Sequence, residues 1–300
     1  MITHTRMTLA SAGFLLITFS LAFPACSDKD VHSNAGDHVI STDSATASSA
    51  ENVFYYIPSP IEMADLLRRA GASYDKELTN QPDNVSRYSS SSAQAINLGI
   101  YGADLSYAGI FGQNAESMTF MNCANKLATG LHVSSAFNPE LRNRLEANLS
   151  SRDSVLNIIT TAYWDCDAVL QENNQQHASA LMIAGGWIEG LYLACRVAEK
   201  TNNSEIRIRI AEQRFSLDKL IELLEKQKHS DTQTLVTDLK ELQAIYAKLP
   251  PQQDVNSTEE NGITVIGSDD DTKSASLNAL EFKAITDKVK SIREKLVSRT

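Results

Sequence analysis

Few of the usual ingredients of a disulfide or metal scaffold are present. Four cysteines are spread over 300 residues, and no two stand in C-x-x-C spacing. Basic residues are outnumbered: 27 Lys and Arg face 37 Asp and Glu, for a net charge of -10, which excludes binding to nucleic acid or anionic lipid through bulk electrostatics. No segment alternates over strand length, so a sheet core is not expected. The acidic run Asp269-Asp270-Asp271 lacks the glycine and spaced oxygen ligands of a calcium loop and reads as a solvated turn. These absences leave an acidic chain whose order must come from helices and an apolar core.

What is there begins with the first 25 residues. Arg6 is their only charged side chain, and Leu9 to Phe23 is apolar but shorter than the roughly 20 residues of a membrane span. They read as an export signal. The run closes on Leu21-Ala22-Phe23-Pro24-Ala25-Cys26, which resembles the lipobox of bacterial lipoproteins and implies lipidation of Cys26. Phe23 and Pro24 depart from the strict pattern, so plain secretion with Cys26 as an ordinary thiol is the alternative. Acyl chains there would hold the protein to a membrane, because each buried methylene contributes about 0.8 kcal/mol. Ser27 after the lipid site favours the outer membrane over the inner one. Asp28 and Asp30 resemble the surface-export signal of Bacteroidota lipoproteins, which leaves the periplasmic and outer faces both open.

Residues 26–52 are small and polar and read as a tether. A helical domain is expected over 53–249. It opens with the extended segment Val53 to Pro58, and Ser59-Pro60-Ile61-Glu62 then carries the signals of a capped helix start. A polar loop with helical turns spans Ala72 to Ser92, and a hairpin follows from Ala93 to Phe111 and Glu116 to Gly130. Asn138-Pro139-Glu140 starts a short helix and Ser151-Arg152-Asp153 a longer one. A further helix runs from Ala178 to Lys200, and Asn202-Asn203-Ser204 stops it and caps the next. Apolar residues at helical spacing continue to Tyr246, and Pro250-Pro251 ends the pattern. Residues 250–276 form a polar linker whose island Ile263 to Ile266 is too short for a sheet alone. Residues 277–300 form a last helix with Leu280, Ala284, Val289, Ile292 and Leu296 toward one side. The linker leaves its position open.

The fold class is therefore all-α, a multi-helix bundle of antiparallel helical hairpins with a weak internal duplication. The duplication rests on two stretches, Leu98 to Tyr107 and Ile183 to Tyr192, in which Asp104 aligns with Glu189 and Tyr107 with Tyr192. A tetratricopeptide array does not fit, because its residue spacing and a third copy are both missing. Each stretch carries glycines inside a helix, at about 1 kcal/mol apiece relative to alanine, which suits close approach of another backbone.

Two readings fit the acids. Asp104 and Glu189 can form a carboxylate pair for acid-base work or cation binding, or they can accept internal hydrogen bonds that fix the register of a tight crossing. Neither stretch has the Glu-x-x-His pair of metal-binding bundles, so no metal and no cofactor is implied. Tyr101, Asp104, Tyr107, Trp187, Glu189 and Tyr192 are the candidate ligand-binding residues, with ring stacking on a sugar or peptide set against a plain core role. No catalytic residue is assigned. Cys166, between Asp165 and Asp167, lacks a base to favour its thiolate, and Cys123, Cys166 and Cys195 are expected as buried thiols. His132 and His177 stand isolated as helix-end residues.

Tyr56 to Pro60, Tyr88-Ser89, Asn97 to Leu105 and Gly185 to Tyr192 together resemble a group of uncharacterised Bacteroidota lipoproteins, over about residues 53 to 249. The resemblance implies a secreted helical domain on a lipid tether and brings no activity with it. The expected function is that of a non-enzymatic interaction or scaffold module at the outer membrane, with a possible protein partner in the envelope. A small-ligand pocket between the two glycine-bearing helices is the alternative, and a carboxylate-dependent hydrolase is the third reading.

Overall fold

The computed structural model describes residues 60–250, 257–260, 263–266 and 277–298. The export signal, Cys26, the tether and the segment Val53 to Pro58 lie outside these residues. Nine α-helices occur among them: α1 (Pro60–Arg69), α2 (Ser91–Ile110), α3 (Asn114–Gly130), α4 (Pro139–Asn148), α5 (Arg152–Glu172), α6 (Gln176–Thr201), α7 (Ser204–Lys226), α8 (Ser230–Tyr246) and α9 (Ala279–Val297). Short 3-10 turns at Lys76–Leu78 and Pro82–Arg87 lie between α1 and α2. The chain is an all-α bundle, and its helices start where side chains satisfy their free N–H groups. Asn138 Oδ1 accepts from the Leu141 amide at 2.8 Å, and Asn203 Oδ1 from Ile206 at 3.1 Å. Asn202, left-handed at φ 51°, ends α6. A full capping box between Asn278 and Glu281 opens α9.

The island at Ile263 to Ile266 does not lie alone. It pairs antiparallel with Ser257–Glu260, Glu260 opposite Ile263, and the intervening sequence Asn261-Gly262 is the dipeptide that favours two-residue hairpins.

Helix α6 is the axis of the bundle, with α1, α2, α5, α7 and α9 packed around it. Its most apolar window would suffice to cross a membrane, yet 94% of that window is buried inside the protein. A helix enclosed on all sides is apolar all round because it has no wet face. Its most extensive contact is with α2. There the two backbones touch: a Cβ on Gly99 would lie 1.9 Å from the Met182 carbonyl oxygen, and one on Gly185 would lie 2.0 Å from that of Ile96. The crossing thus brings the two glycine-bearing stretches against each other.

Helix α9 returns from the far side of the linker and packs on α6, α8 and α2, so the last helix belongs to the same bundle. Its buried stripe is Phe282, Ile285, Val289, Ile292 and Leu296. Leu280 and Ala284 are corrections, since Leu280 is 81% exposed and Ala284 is also exposed. Steps of three and four back from Val289 lead to Ile285 and Phe282, which leaves Leu280 on the wet side of the first turn. His177 is likewise not isolated, because its ring stacks on His229 with centroids 4.6 Å apart.

The glycines of α2 give opposite expectations. Gly102 faces only the Tyr163 ring at 3.8 Å, beside a cavity of about 20 Å³ lined in part by Leu98, Leu105 and Met182. Gly102→Ala should hold or raise stability by up to about 1 kcal/mol, whereas Gly99→Ala should lower it by about 3 kcal/mol or more through overpacking. Denaturant unfolding of both variants checks this, and a neutral Gly99→Ala would contradict the contact.

Candidate functional site

One turn beyond the touching glycines, α2 presents Asp104 and α6 presents Glu189, both without solvent exposure. Glu189 is the charged neighbour that acts most strongly on the Asp104 carboxyl. A third charged group closes the space. Arg293 of α9 donates from Nε to Glu189 Oε2 at 2.9 Å and from Nη2 to Oε1 at 3.0 Å, a bidentate pair in which the arginine side chain is only 12% exposed. Its guanidinium also lies over the Tyr192 ring, 4.8 Å from the centroid. Asp104 Oδ2 accepts from the Asn80 amide at 3.0 Å, while Oδ1 is buried without a donor.

Burial pushes the Asp104 carboxyl well above the usual carboxylate range, and Glu189 pushes it the same way; Arg293 and the Asn80 N–H oppose them. For Arg293 burial works against the charge, but Glu189 and Asp104 outweigh it and hold the guanidinium charged.

The remaining candidates turn inward as well. Tyr101 donates to the Gln81 carbonyl at 2.8 Å, and Tyr107 accepts from the Asp75 amide at 3.1 Å. Trp187 Nε1 donates to Gln213 Oε1 at 3.1 Å. The structure thus brings Asp104, Glu189 and Tyr192 together around Arg293. Tyr101 and Tyr107 instead pin the segment between α1 and α2, and Trp187 ties α6 to α7. Between α2 and α6 at the glycine crossing the touching backbones leave no room for a ligand.

Acid-base chemistry needs a substrate at the carboxyl oxygens. Here α9 covers Glu189 through Arg293, and both carboxyls are without solvent exposure, so no substrate reaches them. The thiols are equally withdrawn. Burial, helped by nearby acids, raises Cys123 to about 11 and Cys166 to about 12; burial raises Cys195 to about 12. All three are free and buried. Among the described residues no group of three or more metal-ligating side chains gathers.

No family model, curated protein or solved structure matches the chain. The site is therefore read from its own geometry.

Sequence reasoning missed Arg293, Asn80 and Gln213. Arg293 carried a signal, since it stands four residues after Val289, on the edge of the apolar stripe of α9, where a surface charge would not be placed. Asn80 and Gln213 carried none. Two further polar residues secure the end of α9: Asn97 Nδ2 donates to the Leu296 carbonyl at 3.3 Å and Tyr88 to that of Val297 at 3.2 Å. They satisfy carbonyls that a helix end leaves unpaired.

Truncating Arg293 would leave Glu189 buried without its counter-charge. Arg293→Ala should destabilise by about 3 to 5 kcal/mol, whereas Lys283→Ala, whose partner Asp287 is exposed, should leave stability almost unchanged. Urea unfolding of the two variants distinguishes the cases; equal effects would contradict a buried role for the pair.

Proposed function

We propose that the chain is a lipid-anchored, non-enzymatic interaction module of the cell envelope. The observation that carries this reading is the inward commitment of its chemistry. The acids and rings that could have built a ligand or catalytic site are spent joining α2, α6, α7 and α9, which leaves the outer surface to make contacts. Space on that surface is found in two open grooves flanking α3. One, of about 590 Å³, is lined by Asn122, Asn125, Ser134, Phe137 and Arg142 among others. The other, of about 480 Å³, includes Tyr74, Glu77, Gln81, Glu116 and Phe120. The acidic balance of the chain directs the reading away from nucleic acid. The export signal and Cys26 support the anchor, with the outer membrane as the favoured site.

A photo-crosslinking residue placed at Asn125 or Thr119 in living cells should give a discrete adduct, absent when it is placed at Lys219 on α7. Adducts from no surface position would argue for abandoning the module. Independently, Cys26→Ser should move the protein from the membrane fraction to the soluble one, and unchanged fractionation would remove the anchor.

A further inference from the structure

The junction of α2, α6 and α9 has a property that does not depend on the compartment the protein occupies. Two carboxyls without solvent exposure and one guanidinium that is only 12% exposed share this junction. With both acids ionised the junction would carry one uncompensated negative charge, and an unpaired buried charge is strongly disfavoured. A proton removes that charge. The hydrogen-bond pattern says where it resides. Both oxygens of Glu189 receive Arg293 donors, whereas Asp104 has one oxygen on the Asn80 amide and the other without any donor.

We infer that Asp104 is held as a neutral acid that donates from Oδ1 to the Glu189 carboxylate, so that the latch on α9 consists of Arg293, Glu189, Asp104 and one proton. The folded state then takes up this proton, and folding of the bundle is linked to pH.

The groups around Asp104 bear this out element by element. Helix α6 supplies Glu189 and α9 supplies Arg293. Helix α3 brings the buried Cys123 thiol, and the segment after α1 brings Tyr74 and the Asn80 amide. On its own helix stand Tyr101 and Tyr107. Helices α1 and α5 pack on α2 through apolar side chains such as Leu67, Val155 and Ile159. Among the described residues Arg293 is the cation that acts on Asp104; its Nε and Nη2 donate to Glu189, and Nη2 also reaches the Leu78 carbonyl at 3.5 Å.

A carboxyl whose folded pKa lies above its unfolded one contributes stability that is fully present below the unfolded value, and this is lost as pH rises toward and through the folded value. In that window, relative to a variant without the acid, the folding constant falls about tenfold per pH unit.

The test compares the full chain with Asp104→Asn, whose amide N–H₂ mimics the proton and whose oxygen still accepts from Asn80. Urea unfolding at several values between about pH 5 and about pH 7 should show the wild type losing about tenfold per unit against the variant. Histidine titrations are common to both chains and cancel in the difference. Parallel curves would overturn the inference. Should Asp104→Asn not fold, carbon-13 NMR of the wild type decides the matter: the assigned Asp104 side-chain carboxyl must stay protonated at about pH 7, and a signal already ionised there would equally overturn it.

Discussion

The backbone contact between α2 and α6 is the constraint on which the rest of the bundle depends. With Gly99 against the Met182 carbonyl and Gly185 against that of Ile96, the two helices approach as closely as their main chains permit. Everything one turn further along is then forced together. Asp104 and Glu189 meet at a depth that water does not reach, and two acids there require a cation. Helix α9 delivers it as Arg293. A segment remote in sequence is thereby fixed in register on the central pair, with Asn97 and Tyr88 holding its final carbonyls.

A buried ion pair of this kind is weak support for net stability, since desolvation offsets much of the attraction. Its consequence is specificity. Helix α9 could slide along an apolar groove at small cost, but a one-turn shift would strand Arg293 and Glu189 apart without partners. The exposed pairs on the helices, such as Arg142 with Glu146, lack that leverage because both members are hydrated when separated. The exception on the rim is Asp238, which two lysines of α9, Lys288 and Lys295, hold below the usual carboxylate range despite its partial burial.

Much of this was legible in the sequence because local signals agreed with the fold. Caps at Asn138 and Asn203 and the stop at Asn202 marked helix ends correctly, and the apolar, glycine-bearing run around Gly185 identified the axial helix. Asp104 and Glu189 stood out as a pair because acids in such runs must be satisfied. Their partner did not, since Arg293 lies beyond a polar linker and nothing local ties it to α6. Short-range periodicity also failed in the first turn of α9, where Leu280 fits a helical count but meets no neighbouring helix. The hairpin at Ser257–Glu260 went unseen because four polar residues carry no alternation.

The central claim is that Glu189 and Arg293 act as one unit in holding the fold. A double-mutant cycle of Glu189→Gln, Arg293→Met and the combined variant measures this most directly. A coupling of at least about 2 kcal/mol is predicted, with the double variant more stable than the sum of the single losses implies. Additive losses would contradict it.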